Sequence, residues 1–452
     1  MNMPKKTVDQ SPTWNIAFEI SPILAASGIF GDKSGVYRIN YNLIYSLSQE
    51  LLRRCSSQQI YLYTLAPHLI YSKNLDFAKL ITLPNVHFIA VPYQTYPTLV
   101  DKEKLDIPVL RFFIKYIDNF IYYPFLERLL FARYIDKIAR ELKKQHVKIV
   151  VHSESGHIPM KGFTNVIHVN DLVPIKFPFW LRHQTVEIHK RKLRFARRHC
   201  QGIICISEHT KKDLISYHAL TSSVSPLPPI RVIYLGGNLA KDRATIAFSQ
   251  IRSLFPSLNL QVGKYFLYFG TIEPRKNLVS LVSVFSALKA EGKLKDFRLI
   301  LVGGRGWGKA YDALKSFLQE HYPVENDRPI VLLDFIGDIY LRTLIKNAYS
   351  VVYPSHYEGF GLPILESMEY GVPVITSNTS SMPEVGGNAC LYVDPTDPLT
   401  ISDAILKLAK DPQEHDRLAK NALTQAKNFS WTKCAQETYD FFVDLLKQSQ
   451  TS

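Results

Sequence analysis

The amino-acid sequence predicts an α/β protein with two doubly wound, mostly parallel sheets. Short apolar runs alternate with helical patterns in both halves of the chain, which is the order that parallel strands joined by crossover helices produce. The 452 residues suffice for two or three domains at roughly 100–200 residues each. A hydrophobic share of 46%, with 12% aromatic residues, provides large buried cores and excludes disordered and fibrous chains.

The first half of the chain contains apolar runs of strand length separated by helical patterns. The predicted strands lie at 14–20, 59–65, 86–91, 148–152, 165–169, 202–206 and 230–234. The predicted helices between them include 37–54, 124–144 and 208–217.

The second half repeats this alternation. Its predicted strands lie at 265–270, 298–302, 330–335, 350–353, 372–376 and 389–393. Its predicted helices lie near 277–291, 311–321, 340–347, 363–370 and 398–408.

A polar, loop-like stretch separates the two halves and predicts a linker at 238–262. It divides a domain at 1–237 from a domain at 263–428. Two doubly wound domains in one chain leave a central cleft facing the carboxyl ends of their strands, which is the usual ligand site of such sheets.

Basic residues are concentrated in the first half. The chain holds 54 Lys and Arg against 40 Asp and Glu, and residues 1–250 hold 33 of the basic and 18 of the acidic residues. The densest block, 182–198, contains seven basic residues and only Glu187 as an acid. Such a block can attract anionic lipid headgroups, a phosphorylated substrate or nucleic acid, or it can be a solvated helix face.

The five Cys include no C-x-x-C, and their odd number favours a reducing compartment. The N-terminus lacks the apolar segment of a signal peptide. The most hydrophobic stretch, 111–135, is interrupted by charged residues, so we expect no membrane-spanning helix. A cytoplasmic location follows as the expectation.

The most informative motif follows the predicted strand at 350–353. Glu358 precedes a loop of Gly359-Phe360-Gly361, and Pro363 stands where a first helical residue should be. Free backbone N–H groups beside these glycines can bind a phosphate-sized anion. Together with Glu366, which can accept hydrogen bonds from hydroxyls, they suit a nucleotide sugar. Taken as an isolated pair, the two Glu residues would more readily be interpreted as a turn cap and a solvated helix face.

A second motif follows the predicted strand at 265–270. Arg275 and Lys276 stand on the loop just before a helix that starts near Asn277. The two cations can stabilise the negative charge that grows on a leaving diphosphate, although such a pair on a loop is usually surface charge.

These segments closely resemble the E-x7-E and G-x-x-x-P-R-K-N motifs of retaining family 4 glycosyltransferases, which have the GT-B fold. The resemblance implies a nucleoside-diphosphate sugar donor, no cofactor and no metal. It implies that Lys276 contacts the diphosphate, that Glu358 contacts the sugar, and that Glu366 contacts hydroxyls of the ribose or sugar. Some relatives carry an arginine directly after the glycine of this strand; Thr271 stands there in this chain, and the role of Arg275 in its place is our own hypothesis. The mannosyltransferase subgroup is the most similar, which implies GDP-mannose.

Other segments extend the resemblance over nearly the whole chain. Gly337, in Ile336-Gly337-Asp338, matches the loop that meets the nucleotide base. Gly35, in Ser34-Gly35-Val36, matches the glycine loop near diphosphate and acceptor. Ser207 begins a helix as its N-cap in the S-E-x-T pattern. Residues 429–452 match the family's closing helix, which can pack back on the first domain.

One position departs from the family. Asn170-Asp171-Leu172 resembles the H-D-L segment, but Asn170 occupies the position of the histidine near the reacting sugar. An Asn donates a hydrogen bond but does not change charge near neutral pH. His168, two residues earlier, would share a strand face with Asn170, and is either a substitute for that histidine or a satisfied core histidine. We expect Asn170, Glu358 and Lys276 to be catalytic and Asp171 to bind substrate.

A P-loop nucleotidase is the rival interpretation. Gly303–Lys309 fits G-x-x-x-x-G-K, and Asp334 ends an apolar strand, yet Ala310 replaces the Ser or Thr that holds Mg²⁺. The chain has no zinc-type spacing and no D-x-D triplet, so no metal site is expected. No nucleic-acid module is recognisable. A nucleotide-sugar-binding protein without transferase activity is a further alternative.

We therefore expect a retaining, metal-independent hexosyltransferase that moves mannose from a nucleoside-diphosphate sugar to a glycan or lipid-linked acceptor in surface polysaccharide or glycolipid synthesis. The acceptor should lie against the domain at 1–237. The basic block at 182–198 and the aromatic stretch at 112–130 favour an anionic membrane surface as a partner, with peripheral attachment at its inner face.

Overall fold

The computed structural model describes residues 14–25, 35–65, 75–91, 123–153, 158–221, 226–237, 245–256, 260–324 and 328–451. Several predicted features lie outside these residues. They are Ser34 of the glycine loop, 112–122 of the aromatic stretch, and 238–244 and 257–259 of the linker.

In the described part of the chain, the first sheet has seven strands in the order β3-β2-β1-β4-β5-β6-β7. The strands are β1 (Asn15–Glu19), β2 (Ile60–Tyr63), β3 (Val86–Phe88), β4 (Val147–His152), β5 (Thr164–Val169), β6 (Gly202–Cys205) and β7 (Ile230–Val232). The central strand β1 pairs in parallel with β2 and β4. All six residues of β5 are buried, as expected for a strand that helices cover on both faces.

The second sheet has six strands among the described residues, in the order β10-β9-β8-β11-β12-β13. They are β8 (Tyr265–Phe269), β9 (Arg298–Val302), β10 (Ile330–Leu333), β11 (Ser350–Tyr353), β12 (Val374–Ser377) and β13 (Cys390–Val393). Every neighbouring pair is parallel. The two doubly wound sheets confirm the predicted fold class.

All the predicted strands are present, and their ends shift for identifiable reasons. Strand β12 begins at Val374 rather than at 372, because Pro373 has no N–H to donate to the ladder; its carbonyl accepts from Val351 N. Strand β10 ends at Leu333, two residues early, and Phe335 is 63% exposed.

The helices of the described residues cover both sheets. They are α1 (Ser21–Ala25), α2 (Gly35–Arg53), α3 (Leu75–Ile81), α4 (Tyr123–Lys144), α5 (Val173–Lys176), α6 (His183–His199), α7 (Glu208–Thr221), α8 (Phe248–Leu254), α9 (Leu278–Ala290), α10 (Ala310–His321), α11 (Asp338–Asn347), α12 (Leu362–Met368), α13 (Met382–Gly386), α14 (Pro398–Lys410), α15 (Pro412–Ala426) and α16 (Trp431–Thr451). None of them combines the length and apolarity needed to cross a membrane.

The long helix α15 is absent from the predicted set, and α6 was predicted only as one interpretation of the basic block at 182–198. The charges of α6 obscure its apolar face, although Val186, Leu193 and Ala196 are buried at helical spacing. The start of α15 carries a capping signal that sequence analysis missed: the Asp411 side chain accepts from Glu414 N, and Pro412 takes the first helical position.

The chain forms two compact units that do not follow the two sheets. One comprises residues 1–167, 199–202 and 442–452, and the other comprises 168–198 and 203–441. The predicted domain boundaries at 237 and 263 remain a prediction. Every side-chain contact described below for the candidate site lies within the second unit.

The strand order of the second sheet predicts where a ligand would bind most favourably. From β8 the chain winds outward through β9 and β10, then returns to the other side of β8 with β11. The switch point therefore lies between the loops that follow β8 and β11, where parallel sheets leave a crevice at their carboxyl ends. Both strongest sequence motifs lie on these loops.

Candidate functional site

The loop after β8 holds Arg275 and Lys276 in a single turn of 3₁₀ helix, Pro274–Lys276. Asn277 follows in the left-handed conformation at φ 58°, and its side chain donates to Pro395 O at 2.7 Å. This conformation suits Asn, whose short polar side chain tolerates a positive φ. The turn directs Lys276 inward, and only 5% of the residue is exposed.

Glu358, on the loop after β11, binds both cations. Lys276 Nζ lies 2.6 Å from Glu358 Oε1, and Arg275 Nη1 lies 2.6 Å from Glu358 Oε2. Arg275 also donates from Nη1 to Tyr357 O at 3.0 Å and from Nε to Glu273 Oε2 at 2.8 Å. The structure thus brings Glu358 together with two adjacent cations that lie 82 and 83 positions earlier in the sequence.

Two participants in this site were missed in the sequence. Lys276 Nζ donates to the hydroxyl of Tyr353 and lies 4.8 Å from the centre of its ring. The carboxylate of Glu273 balances Arg275. We call Glu273, Arg275, Lys276, Tyr353 and Glu358 the Glu358 cluster. The sequence gives only weak signals for these two residues. Tyr353 ends a predicted strand, and Glu273 lies two residues before Arg275.

Burial and charge together set the protonation states of the cluster. Burial by itself would raise the pKa of Glu358, but the charges of Arg275 and Lys276 and their hydrogen bonds lower it to about 2. Burial, and then the neighbouring charge of Arg275, lower the pKa of Lys276, while Glu358 opposes both effects. Glu358 is therefore a carboxylate at neutral pH, able to accept hydrogen bonds and unable to act as an acid.

The glycine loop after Glu358 packs against the end of β5. A Cβ at Gly359 would overlap the carbonyl oxygen of Asn170 and lie 3.0 Å from Asp171 Cβ. The hydroxyl of Thr210 lies 3.3 Å from Asn170 O and 3.4 Å from Gly359 O. Glycine at 359 is therefore required by close backbone approach, and Asn170 lies beside the residue that follows Glu358.

The rest of this loop is held rigidly. Gly361 has φ 103°, which only glycine adopts readily, and the helix α12 follows directly. Phe360 is buried, and its ring contacts those of Tyr234 and Phe429. Its side chain therefore belongs to an aromatic core. Glu366 is completely buried within α12.

The remaining predicted site residues lie elsewhere. Asp171 accepts from Val173 N at 3.0 Å and thereby starts the short helix α5. Gly337 is the N-cap residue of α11, four residues after the end of the strand β10. Gly35 starts α2 in the first compact unit, where an added Cβ would meet nothing within 4 Å. His168 is buried on β5.

A second cluster of charges lies next to the first. Tyr357 donates to Asp213 Oδ2 at 2.7 Å, Lys176 Nζ lies 2.7 Å from Asp213 Oδ1, and His209 Nε2 lies 3.3 Å from Oδ2. We call these four residues the Asp213 cluster. Burial would raise the pKa of Asp213, but hydrogen bonds from His209, Lys176 and Tyr357 lower it to about 2.

The predicted helix start at Ser207 is confirmed, and it has an additional partner. Ser207 Oγ accepts from Thr210 N at 3.0 Å as an N-cap. The carboxylate of Glu384 accepts from Glu208 N at 2.8 Å and from His209 N at 2.7 Å. A carboxylate at this position also interacts favourably with the helix dipole of α7.

The P-loop alternative does not fit the structure. Its glycines serve loop packing, since a Cβ at Gly303 would overlap Gly270 O and one at Gly306 would lie 2.6 Å from Glu273 Cγ. Lys309 is exposed. Asp334 accepts from Tyr311 OH. Within the residues that the structure describes, no three His, Cys, Asp or Glu side chains are grouped as metal ligands would be.

The basic block forms most of helix α6. Arg194 and Arg198 are exposed, whereas Lys192 is buried. Lys190, Arg194, Arg197 and Arg198 line one side of an open groove of about 250 Å³. The opposite wall comes from α7 and the segment after it, and includes Tyr217 and His218.

The chain matches a known protein family and is similar in sequence to characterised proteins. The model of the family described as "Glycosyl transferases group 1" matches residues 251–425. O-antigen chain mannosyltransferase B of Escherichia coli is 41% identical over 293 residues, which cover 65% of this chain and 74% of that protein. Serotype-specific mannosyltransferase WbdA of Escherichia coli is 30% identical over 253 residues, 55% of this chain and 29% of that protein.

Solved structures with low sequence identity share the fold. Sucrose-phosphate synthase from Thermosynechococcus elongatus has a TM-score of 0.64 at 18% identity, covering 97% of this chain and 100% of that chain. Anabaena Alr3699/HepE in complex with UDP-glucose has a TM-score of 0.64 at 15% identity, covering 95% and 99%. The predicted GT-B fold is confirmed.

Proposed function

We propose, from the premise that this chain belongs to the glycosyl transferases group 1 family, that it transfers mannose from GDP-mannose to a hydroxyl of a surface glycan or its lipid-linked precursor. We further propose that the transfer retains the anomeric configuration and needs no metal ion. The observation that carries the proposal is the buried Glu358 cluster at the switch point of the second sheet. The 41% identity to a protein named as an O-antigen chain mannosyltransferase supports the choice of sugar.

The leaving diphosphate binds at Lys276. An ammonium has three N–H groups, and two of those of Lys276 are directed to Tyr353 and Glu358. The third is available to a phosphate oxygen. Because Lys276 is held on two sides, its charge is already in position when the negative charge on the diphosphate grows. Together with Arg275 it takes the part that a divalent metal plays in other diphosphate sites.

Glu358 has two tasks in this proposal. Its carboxylate fixes the positions of Lys276 and Arg275, and its remaining lone pairs accept a hydrogen bond from a hydroxyl of the donor sugar. Its low pKa keeps it ionised throughout the physiological range. It therefore orients the sugar and does not transfer a proton.

The reaction proceeds on one face of the sugar. The acceptor oxygen forms its bond to the anomeric carbon as the bond from that carbon to the diphosphate oxygen breaks, and the leaving phosphate takes the acceptor's proton. Asn170, beside Gly359, donates a hydrogen bond near this centre, which an amide does without changing charge. Glu366 accepts from hydroxyls of the ribose or sugar.

The donor and the acceptor are assigned to different parts of the chain. We propose that residues 263–428 bind the donor, with Gly337 near the base and Gly359–Gly361 near the diphosphate. Residues 1–237, with Gly35 and Asp171, bind the acceptor, and 429–452 close the fold. We further propose that the enzyme attaches to the inner face of the membrane that carries a lipid-linked acceptor. The basic groove along α6 supports this, because its cations can attract an anionic membrane surface.

The experiment is a transfer assay with purified protein, GDP-mannose and a mannose-containing acceptor, in the presence of a metal chelator. Product with the same anomeric configuration as the donor, formed at an undiminished rate in chelator, supports the proposal. Glu366→Ala should lower the rate at least about tenfold, equal to about 1.4 kcal/mol of transition-state stabilisation. An inverted product, or transfer only from UDP-sugars, would overturn the proposed mechanism or donor.

A further inference from the structure

The glycine-rich segment after β9 is left without a role once a P-loop is excluded. Its glycines allow it to pack on the loop after β8. Trp307 stands between Gly306 and Gly308, and its indole ring centre lies 6.3 Å from that of Trp180. A partly exposed Trp at this position is not explained by the packing of the glycines.

The aromatic neighbours of Trp307 lie on the segment that follows β5. Following α5, a turn of 3₁₀ helix at Pro178–Trp180 displays aromatic side chains. Phe177 and Trp180 are stacked with ring centres 4.4 Å apart and an angle of 13°. Phe179 is 75% exposed, the most exposed aromatic side chain among the large hydrophobic residues of the described chain.

Together these side chains form one surface, which we call the aromatic surface: Phe177, Phe179, Trp180 and Trp307. It continues directly into the Glu358 loop. The ring of Trp180 lies 5.9 Å from that of His356, and the ring of Phe177 lies 5.7 Å from that of Tyr357. His356 and Tyr357 immediately precede Glu358 in the chain.

Phe179 is exposed and the other three side chains are partly exposed, and such a group of aromatic rings indicates a ligand. Contiguous apolar surface left in water is unfavourable by about 25 cal/mol per Å², and such patches commonly mark binding sites. Phe177 and Trp180 stack on each other, so each ring has only its other face and its edges available to a ligand, and Trp307 is inclined to Trp180 by 37°. The C–H face of a pyranose ring packs against such rings, while its hydroxyls at the rim reach polar neighbours such as His356.

The chemistry selects a sugar rather than the donor's diphosphate. The rings that form the surface carry no charge, and burial lowers the pKa of His356, so its imidazole is neutral at pH 7. We assigned the donor's base above to the loop at Gly337, which follows the edge strand β10 and precedes the helix α11. The aromatic surface therefore remains for the second substrate.

We propose that the aromatic surface binds pyranose rings of the acceptor glycan and guides its hydroxyl to the donor sugar at Glu358. This inference rests on the proposed function for the identity of the glycan. It adds a recognition site for the second substrate, formed by two segments whose aromatic residues lie 127 positions apart at Trp180 and Trp307.

The test measures binding of α-linked manno-oligosaccharides of two to five residues to the full chain, through tryptophan fluorescence and calorimetry. Trp180 and Trp307 are two of the four Trp of the chain, so the bound sugar should change the emission. Phe179→Ala removes an exposed ring and should leave the fold intact. Loss of a stacking interaction of about 1 kcal/mol predicts a Kd at least about fivefold weaker.

Trp307→Ala should weaken oligosaccharide binding similarly and leave the affinity for GDP within about twofold. Leu399→Ala is the matched control, since Leu399 is 72% exposed in the same compact unit but lies on α14. It should change neither affinity.

Three results would overturn the inference. The first is unchanged oligosaccharide binding in both aromatic variants. The second is loss of GDP affinity in Trp307→Ala, which would mean that the Trp307 ring stacks on the base of the nucleotide. The third is no oligosaccharide binding by the unmodified chain. Failure of the proposed function is a separate result. In that case GDP does not bind, whereas the response to oligosaccharide, and its loss in Phe179→Ala, persist.

Discussion

Two charged clusters meet at the end of strand β11, and consecutive residues anchor them. Glu358 binds Arg275 and Lys276, and Tyr357 binds Asp213. In the first cluster both cations are nearly inaccessible, with 16% and 6% of their side chains exposed. In the second, the side chain of Lys176 is 43% exposed.

From this difference in exposure we infer that the cations of the Glu358 cluster are preorganised for a ligand's charge, and that the Asp213 cluster mainly stabilises the fold. A cation that is buried and already paired needs little rearrangement when a ligand's charge appears, so it stabilises a transition state efficiently. A cation that reaches water is screened and contributes less. We therefore expect changes in the Glu358 cluster to affect both folding and transfer, and changes in the Asp213 cluster to affect mainly stability.

The largest effect is expected for Glu358→Gln. It leaves Arg275 and Lys276 buried beside a neutral amide, and breaking a buried pair from one side costs about 3–5 kcal/mol. Urea unfolding should show a loss of this size, and transfer should fall to background. Glu273→Gln is the control, because Glu358 still balances Arg275 in that variant. An equal loss of stability and of transfer in the two variants would mean that Glu358 contributes no more to the cluster than Glu273 does.

The next effect is expected for Gly359→Ala. The added methyl group would overlap Asn170 O, so the Glu358 loop and the end of β5 must separate. Overpacking of this kind costs about 1–3 kcal/mol, and transfer should fall more than stability predicts because Asn170 moves. Gly304→Ala, where a methyl group meets nothing within 4 Å, is the matched control. Normal transfer by Gly359→Ala would contradict the close approach.

Asp213→Asn should affect stability in a pH-dependent way. The pKa of Asp213 is lowered from 3.8 to about 2, so its ionised form stabilises the fold above pH 3.8 and this contribution is lost as the pH falls toward 2. The shift corresponds to roughly 2 kcal/mol. The difference in unfolding free energy between wild type and Asp213→Asn should therefore shrink between pH 5 and pH 2. A constant difference would exclude this linkage. Transfer at neutral pH should change little.

The smallest effect is expected for the exposed cations of α6. Replacing Arg194 and Arg198 by Glu should reduce co-sedimentation with vesicles that contain anionic lipid, by an amount that high salt abolishes. Lys410→Glu with Lys420→Glu makes the same charge change on exposed positions of α14 and α15. Equal recovery of wild type on neutral and anionic vesicles would refute the membrane proposal.

The sequence predicted the strands well because their apolar runs are long and uninterrupted. It also predicted Arg275, Lys276 and Glu358 as site residues, because they lie in motifs that resemble those of the family, and the structure brings the three together. It could not show that Glu358 binds both cations, since this pairing depends on the β8–β11 adjacency. Tyr353, Glu273 and Asp213 were missed for the same reason: their partners are distant in sequence.

Local signals explain the other differences. Trp307 lies inside the predicted P-loop segment, and only the three-dimensional structure shows that Trp180 is its neighbour. Lys192 was counted within a uniformly basic block, whereas the helical period places it on the buried face of α6.

The central claim is that the buried Lys276, and not the exposed Lys309, binds the diphosphate of the donor. Calorimetric titration with GDP, without metal, tests it directly in wild type, Lys276→Ala and Lys309→Ala. Arg275 still pairs with Glu358 when Lys276 is removed, so the fold should survive. We predict that GDP affinity falls at least about tenfold, or about 1.4 kcal/mol, in Lys276→Ala and is unchanged in Lys309→Ala. Unchanged affinity in Lys276→Ala, with loss in Lys309→Ala, would contradict the account.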